Sequence, residues 1–451
     1  MKQTKILKRD SNSQKRVILF WIGHEIDLDC STPVIAKLAE NPSLKIQCVV
    51  VNLRETFQDD WRIIYLRSLS VDVTHAYQLL KISPALTKIA LGTSHLRIGG
   101  LSKSLIKICY NRLILAPVLR YLKTRVENLD LVYCFGSSQE FLSADLAVFS
   151  ETVCETNKNL CAQFEQQLVP TVSLPHGPHF ALSVFEEKLE DDLEDSDCHN
   201  QLVDIKIESS HFDVQSLSSK TGRCRDISGR ESPVLGSTRY APEWIRRLDS
   251  LVLPYEFPHE SEPKLKVVLM LAKTKYPLTD LIKTNRLIKI FSDLPDIQLV
   301  LKAHPRDRSP IIPESANVVL ADNQTSSSAL IRWADLVLFT HTSIVLEAVV
   351  RDKPVGYLKY LVTSPPLHEY VQISWAINGE DELRALVSQF LIGQINRTYS
   401  IRERHELLKS IVCPTGENVL ELHSRFLIEQ SEIGFRRKIE SKLTKFKQRA
   451  D

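Results

Sequence analysis

The chain has 451 residues, of which 43% are hydrophobic and 25% are charged, and its formal net charge is +2. This composition is ordinary for a soluble globular protein of two or three domains, and no nucleic-acid partner is expected. The nine cysteines show no CxxC pair or metal-finger spacing, which indicates reduced thiols in a cytoplasmic protein. No stretch of eighteen apolar residues occurs, so neither a signal peptide nor a membrane span is expected.

Two strands and a helix are predicted at the start of the chain, after a basic tail at 1–16. Residues 17–23 form an apolar run, Pro33 suits the first turn of a helix, and 46–52 form a second apolar run. This order indicates a doubly wound α/β domain. Acidic side chains at 25–29 fall in the predicted loop after the first strand, a natural place for a general base. The alternative is that these carboxylates cap the helix.

A strongly basic stretch comes next. Residues 73–126 contain nine lysines and arginines, no acidic residue, and apolar residues at helical spacing. The segment 81–125 therefore resembles a basic amphipathic surface that suits an anionic membrane or an anionic acceptor. Solvated helix faces without a partner are the alternative.

An acidic and polar segment separates the two halves of the chain. A predicted strand ends just before it in a Pro-His-Gly turn at 175–177. Residues 186–197 then include eight acids and one lysine, and a serine-rich run continues to about residue 232. Such a composition buries too little apolar surface to offset chain entropy, so 181–232 is predicted to be a flexible insertion or linker.

Polar groups follow two predicted strands in the second half. The strand-like run at 298–302 leads into a Lys/His/Arg group at 302–306, and the run at 335–339 leads into the hydroxyl-rich residues 340–343. Open α/β sheets bind ligands at the carboxyl ends of such strands. Cations, hydroxyls and free backbone N–H groups at a helix start suit a phosphate. Glu347, one helical turn after Ser343, can accept hydrogen bonds from a ribose diol.

These motifs resemble the nucleotide-binding domain of GT-B glycosyltransferases. Within that fold they look most like bacterial surface-polysaccharide enzymes, the neighbourhood of capsule and Kdo transferases and CDP-glycerol glycerophosphotransferases. The motifs that carry the resemblance are HPR at 304–306, AD before a strand at 334–335, the hydroxyl pair at 342–343, EA at 347–348, KP at 353–354, and the segments 174–177 and 235–244. One departure is a His-Thr-Ser sequence at 341–343, where Ser-Ser is common. A plain βαβ unit with a buried polar patch is the alternative.

The resemblance implies which residues hold the donor. A nucleotide-activated sugar would sit against the second domain, with no cofactor and no metal. The donor-binding residues predicted in this way are Gly236, Ser237, Arg239, Lys273, Lys302, His304, Arg306, Thr342, Ser343 and Glu347.

The resemblance also implies an acceptor side. In enzymes of this kind the loop after the first strand faces the cleft between the domains, and an acidic residue there often activates the acceptor. We therefore predict Asp27 or Glu25 as the catalytic base, without a choice between them. His176, in the Pro-His-Gly turn, is a further catalytic candidate, and a structural turn histidine is its alternative.

The end of the chain is predicted to be a basic amphipathic helix. Phe435, Ile439, Leu443 and Phe446 share one face of 435–449 and are surrounded by lysines and arginines. Such a helix is typical of a membrane-surface anchor, whereas the alternative is an ordinary solvated terminal helix.

The expected architecture is α/β and GT-B-like, with two Rossmann-like doubly wound domains facing a cleft. Residues 17–180 form the predicted acceptor domain, 233–430 the nucleotide-sugar domain, and 431–451 the tail helix. We predict a glycosyltransferase that moves a sugar to a glycan or lipid-linked acceptor for a surface polysaccharide or capsule, at the inner face of the plasma membrane. The alternatives are a sugar-nucleotide 2-epimerase of the same architecture and a non-catalytic polysaccharide-assembly partner.

Overall fold

A computed structural model gives the structure of the protein. It describes most of the chain, in segments that include all the strands and helices named below. The described residues are 15–23, 25–51, 57–79, 117, 121, 144–150, 158–175, 203–210, 232–259, 263–271, 279–304, 315–322, 324–363 and 376–448.

The described strands are all parallel to their neighbours. They are β1 (Arg16–Ile22), β2 (Leu44–Val50), β3 (Asp72–His75), β4 (Leu146–Ser150), β5 (Thr171–Leu174), β6 (Ile205–Lys206), β7 (Leu265–Met270), β8 (Ile297–Lys302), β9 (Val318–Leu320), β10 (Leu336–Phe339) and β11 (Val355–Tyr357).

Helices connect and cover these strands. They are α1 (Glu25–Ala39), α2 (Trp61–Ser68), α3 (Ala76–Leu79), α4 (Lys158–Gln166), α5 (Pro242–Leu251), α6 (Leu281–Ser292), α7 (Ser327–Trp333), α8 (Val345–Val350), α9 (Glu380–Leu391), α10 (Ile401–Leu407) and α11 (Val419–Gln448), with a 3-10 turn (Lys359–Leu361) and a π-helical segment (Leu408–Val412).

The first sheet has the strand order β3-β2-β1-β4-β5-β6. Its central strand β1 is buried on both faces, as the continuous apolar run predicts. Alternate residues enter different cores: Ile18 and Phe20 pack under α1, whereas Leu19 and Trp21 pack with Phe149 on the other face. The sheet is therefore doubly wound, and its strand order reverses between β1 and β4.

The second sheet repeats this order. It reads β11-β10-β7-β8-β9, with β7 in the centre and the reversal between β7 and β10. One face of the sheet packs Val268 and Val337 against α8, and the other packs Leu269 against α6. Two doubly wound parallel sheets confirm the predicted α/β fold class.

The last helix returns to the first sheet. Helix α11 contacts α1, β1 and β4, and its residues Leu420 and Leu427 belong to the core under α1. Gly434 lies so close to β4 that a Cβ atom there would be 1.9 Å from the Asp145 carbonyl oxygen. The carboxyl-terminal run therefore crosses back onto the first domain.

The predicted start of the first helix is wrong. The structure has a helix from Glu25 onward, so the acids at 25–29 form its first turns instead of a loop, and Pro33 lies inside it. Leu28, Val34 and Ile35 are fully buried, and this apolar face stabilises the helix despite the backbone donor that Pro33 lacks.

Two predicted boundaries in the middle of the chain also need correction. Strand β6 lies inside the stretch 181–232 that was predicted to be a flexible linker, because the buried Val203 and Ile207 flank it. Asp204 fixes it by accepting hydrogen bonds from the backbone N–H and hydroxyl of Thr171. A parallel bridge between Glu208 and Val234 extends this edge of the first sheet beyond residue 233.

The tail was predicted to be a separate helix beginning at 431. It is instead continuous with α11, and Ser431 is fully buried. Lys438 reaches Ala144 and lies 3.3 Å from Asp145, so the helix is docked this far along. Leu443 is 37% exposed, which leaves only the last turns of the helix uncovered.

Candidate functional site

The site lies where both sheets reverse their strand order. In the first sheet, α1 begins directly after β1, and the Gly23 N–H donates to the Ser150 hydroxyl at the end of β4 (3.2 Å). In the second sheet, residues 340–343 follow β10, which pairs with the central strand β7. The carboxyl ends of strands at such a reversal form a crevice in open α/β folds, so both predicted groups of residues occupy the expected place.

A short segment, residues 237–240, joins the two groups; we refer to it as the strap. The Ser237 N–H donates to the Val412 carbonyl (2.9 Å), and the Thr238 hydroxyl donates to the Cys30 carbonyl of α1 (2.6 Å). Arg239 lies 3.2 Å from Asp29, and the Tyr240 hydroxyl donates to Ser343 (2.9 Å). Consecutive residues thus tie α1 to the hydroxyl-rich loop after β10.

Gly236 sets the path of the strap. Its φ of +96° lies in the region that favours glycine. A Cβ atom there would lie 2.6 Å from the Val412 carbonyl oxygen and 2.9 Å from a Val419 methyl group. Gly236 was predicted to bind the donor, and in the structure it packs closely against the carboxyl-terminal segment.

Arg239 and Tyr240 form the polar centre of the strap. The guanidinium carbon of Arg239 lies 5.4 Å from the centroid of the Tyr240 ring. Burial raises the pKa of Tyr240 to about 12 despite the opposing Arg239 charge, so its hydroxyl stays a donor at neutral pH. Burial alone would lower the pKa of Arg239, but Tyr240 and Asp29 raise it overall, with a smaller contribution from Glu347.

Hydroxyl groups dominate the loop after β10. Thr340 is 3% exposed, and its hydroxyl has no hydrogen-bond partner among the residues that the structure describes. Ser343 accepts the bond from Tyr240, and Thr342 accepts a long one from the Ile344 N–H (3.4 Å). The six-residue helix α8 begins two residues after Ser343. A buried hydroxyl without a hydrogen-bond partner costs free energy.

The cations after β8 are less closely tied to this loop. Lys302 is buried, and its ammonium donates to the Asp322 carbonyl beyond β9 (2.7 Å), on the side of β8 away from the strand-order reversal. Burial lowers the pKa of Lys302, and the Asp322 charge partly opposes this. His304 follows at the same carboxyl edge and is half-buried. Lys302 therefore stabilises the neighbouring loop, whether or not it also meets a ligand.

Glu347 belongs to a buried network. Its carboxylate accepts a hydrogen bond from the Ser328 hydroxyl and one from Arg351 (2.9 Å), and Arg351 also donates to Asp249 of α5 (2.7 Å). These contacts tie α8 to α7 and α5. One carboxylate oxygen already accepts two protein donors, so the predicted ribose contact would have to compete with them or use the other oxygen.

The acidic candidates lie on α1. Asp27 is 1% exposed, and Glu25 is the first residue of the helix. Asp29, one turn beyond Glu25, was placed in the same predicted loop but was not selected. It pairs with both Arg62 and Arg239, which makes it the acid most directly connected to the strap.

Three of the predicted site residues lie outside the described residues. They are His176, Lys273 and Arg306. The basic stretch 81–125 also lies outside them, except for isolated positions.

Sequence reasoning missed several residues that shape the site. Tyr240 was quoted only as part of a motif, yet it makes the link to Ser343. Lys353 of the KP pair is structural, because its ammonium donates to the Arg332 and Ala334 carbonyls at the end of α7 (2.9 and 2.6 Å). The Asp29 contact had no local signal, since its partner Arg239 is 210 positions away.

Comparisons with known proteins support the fold. No protein-family model matches the sequence, and no curated protein matches it. The structure is similar to UDP-GlcNAc 2-epimerase from Neisseria meningitidis bound to UDP-GlcNAc, with a TM-score of 0.52 at 15% identity over 92% of this chain and 99% of that chain. It is also similar to the glycotransferase of kitacinnamycin, with a TM-score of 0.50 at 12% identity over 93% of this chain and 99% of that one.

A third solved structure extends this result. The S. aureus MnaA-UDP co-structure has a TM-score of 0.50 at 13% identity, over 92% of this chain and 95% of that chain. The likeness covers nearly the full length of each protein and includes both sheets. The chain therefore has the two-domain GT-B architecture. At these identities the likeness establishes the fold, and it does not establish the capsule or Kdo transferase neighbourhood.

Proposed function

We propose that the protein is a glycosyltransferase. In this proposal a nucleotide-activated sugar binds at the carboxyl edge of the second sheet, and an acceptor hydroxyl approaches from the first sheet. The observation that carries the proposal is the strap, which joins the acid-bearing helix α1 to the loop where the Thr340 hydroxyl has no partner in the described part of the chain. Carboxylates, a guanidinium and hydroxyl groups that lie at one site suit the transfer of a sugar from a phosphate leaving group.

The bond changes of the proposed reaction involve few protein groups. The acceptor hydroxyl gives its proton to Asp27 or Glu25, and its oxygen attacks the anomeric carbon. The bond from that carbon to the phosphate oxygen breaks, and the departing phosphate keeps the electron pair. Arg239, with the hydroxyls of Thr340 and Ser343, would stabilise the charge on the leaving group.

The proposed acceptor is a glycan or lipid-linked saccharide of a bacterial surface polysaccharide. The motif resemblance supports this choice, and so does the basic end of α11. Arg437 and Lys442, towards the end of this helix, carry positive charge, and Leu443 is 37% exposed. None of the described helices is long and apolar enough to cross a membrane. An anionic inner membrane face would therefore be contacted peripherally.

Vesicle co-sedimentation tests this membrane contact. The full chain should sediment with phosphatidylglycerol vesicles at low salt and much less with neutral phosphatidylcholine vesicles, because its basic surface needs anionic lipid. The charge-reversing variant Lys442→Glu should bind less than wild type, whereas the control Glu440→Gln on the same helix should not. Equal binding to both kinds of vesicle would contradict the proposal.

A sugar-nucleotide 2-epimerase is the second candidate. Two of the solved structures with the same architecture are a UDP-GlcNAc 2-epimerase bound to UDP-GlcNAc and a UDP co-structure. An epimerase would also use carboxylates at this crevice and a nucleotide at the second sheet. It would convert a sugar nucleotide without an acceptor, which nuclear magnetic resonance of the sugar protons detects. Epimerised product would favour this candidate over transfer.

A nucleotide screen tests what both candidates share. The thermal unfolding temperature of the full chain would be measured with CMP, CDP, UDP and GDP, for wild type, Arg239→Ala, His304→Ala and Arg247→Ala. Arg247 is the matched control, because it also pairs with an acid next to α1, Glu40 (3.3 Å), but on an exposed surface. We expect one nucleotide to stabilise wild type and Arg247→Ala and to stabilise Arg239→Ala less. The absence of any shift in wild type at millimolar nucleotide would contradict the proposed function.

A further inference from the structure

Asp29 lies between two arginines from different parts of the chain. One carboxylate oxygen contacts Arg62 at the start of α2, and the other lies 3.2 Å from Arg239 of the strap. The side chain of Asp29 is 27% exposed, so this pairing takes place at the edge of the crevice. Asp29 thus connects the first domain directly to the residue that we propose as a phosphate ligand.

Arg62 holds Asp29 in place. The Asp60 carboxylate caps α2, and it accepts hydrogen bonds from the Arg62 backbone N–H and Nε (2.9 Å each). The Arg62 Nη2 atom lies 2.5 Å from the second Asp60 oxygen, which makes the contact bidentate. The side chain of Arg62 is only 10% exposed. Asp29 therefore receives its hydrogen bond from a guanidinium that is itself fixed at two points.

Arg239 retains donors for a ligand. A guanidinium has five N–H donors. Within the described part of the chain, Arg239 makes the ion pair with Asp29 and the contact over the Tyr240 ring. Its side chain is 24% exposed. The guanidinium is thus oriented by Asp29 and Tyr240.

We propose that Asp29 is a positioning residue for the nucleotide-binding function of Arg239. Resting on the proposed function, this inference assigns to Asp29 the task of directing the Arg239 guanidinium towards the phosphates of a nucleotide bound beside Ser343. Asp29 is also paired with Arg62. Arg239 can therefore donate hydrogen bonds to a phosphate without leaving the Asp29 carboxylate unpaired. Asp29 itself does not touch the ligand.

The direction in which phosphate affinity changes when Asp29 is removed separates this positioning role from a purely electrostatic one. If Asp29 were only a nearby negative charge, its removal would make the crevice more positive and would tighten phosphate binding. If Asp29 positions Arg239, its removal frees the guanidinium to adopt other rotamers and weakens binding. We expect the second effect to dominate, since charge-assisted hydrogen bonds need fixed geometry and a single exposed charge is largely screened.

Calorimetric titration of the full chain tests the inference. UDP, CDP and inorganic pyrophosphate would be titrated into wild type, Asp29→Asn, Arg239→Ala and the double variant. We expect Asp29→Asn to raise Kd by roughly 5- to 20-fold, and the double variant to bind no more weakly than Arg239→Ala. Asp29→Glu keeps the charge and should restore affinity to within about 3-fold of wild type.

Controls exclude a general loss of structure. Glu40→Gln removes another ion pair between the end of α1 and α5, and should leave Kd unchanged. Thermal unfolding of each variant would show whether it folds, and Asp29→Ser, which also lacks the carboxylate, provides a second variant if Asp29→Asn does not fold. Tighter or unchanged binding by Asp29→Asn, or additive losses in the double variant, would overturn the inference. If wild type bound none of the three probes, the proposed function itself would fail. If wild type bound them and Asp29→Asn bound equally well, only the inference would fail, so the two failures are distinguishable.

Discussion

The two sheets share one strand order, yet their carboxyl edges differ in chemistry. At the first sheet, charged residues dominate: Asp29 pairs with Arg62 and Arg239. At the second sheet, hydroxyls dominate, and the Thr340 hydroxyl lacks a partner among the described residues. Topology therefore determines where a crevice forms, whereas the side chains at the strand ends determine the chemistry of each side of the crevice.

The sheets also differ in how they are covered. The second sheet is covered by helices close to it in sequence, such as α6 and α8. The first sheet depends on α11, more than 250 residues beyond β4. The first domain therefore relies on a long-range contact, and substitutions in α11 should affect it most.

The largest expected effect concerns the acids of the first edge. If Asp27 is the base, Asp27→Asn should lower kcat by about 10²–10⁴-fold, with the nucleotide Kd nearly unchanged, because the carboxylate would act on the acceptor. Glu25→Gln is the matched variant and decides between the two candidates. Steady-state kinetics with a sugar nucleotide and acceptor measure the effect. Unchanged kcat in both variants would remove the acids of α1 from the mechanism.

The second prediction tests how α11 covers the first sheet. Gly434→Ala should destabilise the protein by about 2–3 kcal/mol, because the new methyl group would lie 1.9 Å from the Asp145 carbonyl oxygen and 2.6 Å from Pro170. The better helix propensity of alanine offsets only part of this. Urea unfolding measures the difference. Glu440→Ala, on an exposed turn of the same helix, should change stability by less than about 0.5 kcal/mol, and equal effects of the two variants would contradict the close packing.

The third prediction uses pH at the same interface. Burial lowers the pKa of His423 to about 4, although its bond with the Val419 carbonyl opposes this, whereas the unfolded chain has a pKa near 6.5. The unfolded state therefore binds protons first as the pH falls, and stability is lost between about pH 6.5 and 4. From pH 7.5 to 5, wild type should lose about 2 kcal/mol more than His423→Leu.

Urea unfolding at the two pH values measures this difference. Both proteins will lose stability from other groups, so the quantity of interest is the difference between the two losses. Parallel losses in wild type and His423→Leu would show that His423 is not held neutral on the buried face of α11.

The smallest expected effect concerns Thr340 at the carboxyl edge of the second sheet. Thr340→Val removes a buried hydroxyl that has no partner among the described residues, so stability should stay the same or rise by up to about 1 kcal/mol. Nucleotide binding should weaken by roughly 5- to 10-fold, which is about 1–1.4 kcal/mol. Unfolding and calorimetry on the same variant measure both effects. Reduced stability with unchanged affinity would assign the hydroxyl a structural role instead.

Much of the fold follows from local sequence patterns. Apolar runs predicted β1, β2, β8 and β10 to within one or two residues, because buried parallel strands are continuously hydrophobic. The position of residues 340–343 at a strand end followed from the same pattern. Strand β6 was missed, since it is two residues long and lies within a polar stretch whose average composition hides it.

Contacts between distant residues could not be predicted. The first helix was expected after Pro33, because proline normally favours a helix start, and the buried apolar face that overrides this preference appears only in the fold. The Asp29–Arg239 pair and the return of α11 join positions that are hundreds of residues apart. Lys302 shows the converse: its sequence context suits a ligand, yet its ammonium donates to a backbone carbonyl.

The course of α11 has a consequence for biosynthesis. A ribosome makes β1 to β5 early, but Gly434 and Ser431, which close over the first sheet, emerge only after the entire second sheet. Domains usually fold in the order of their synthesis. The second sheet can therefore reach its native packing first, while the apolar surface of the first sheet that α11 later covers is still exposed. The nascent chain therefore passes through a stage in which the half that was synthesised first still lacks part of its native packing.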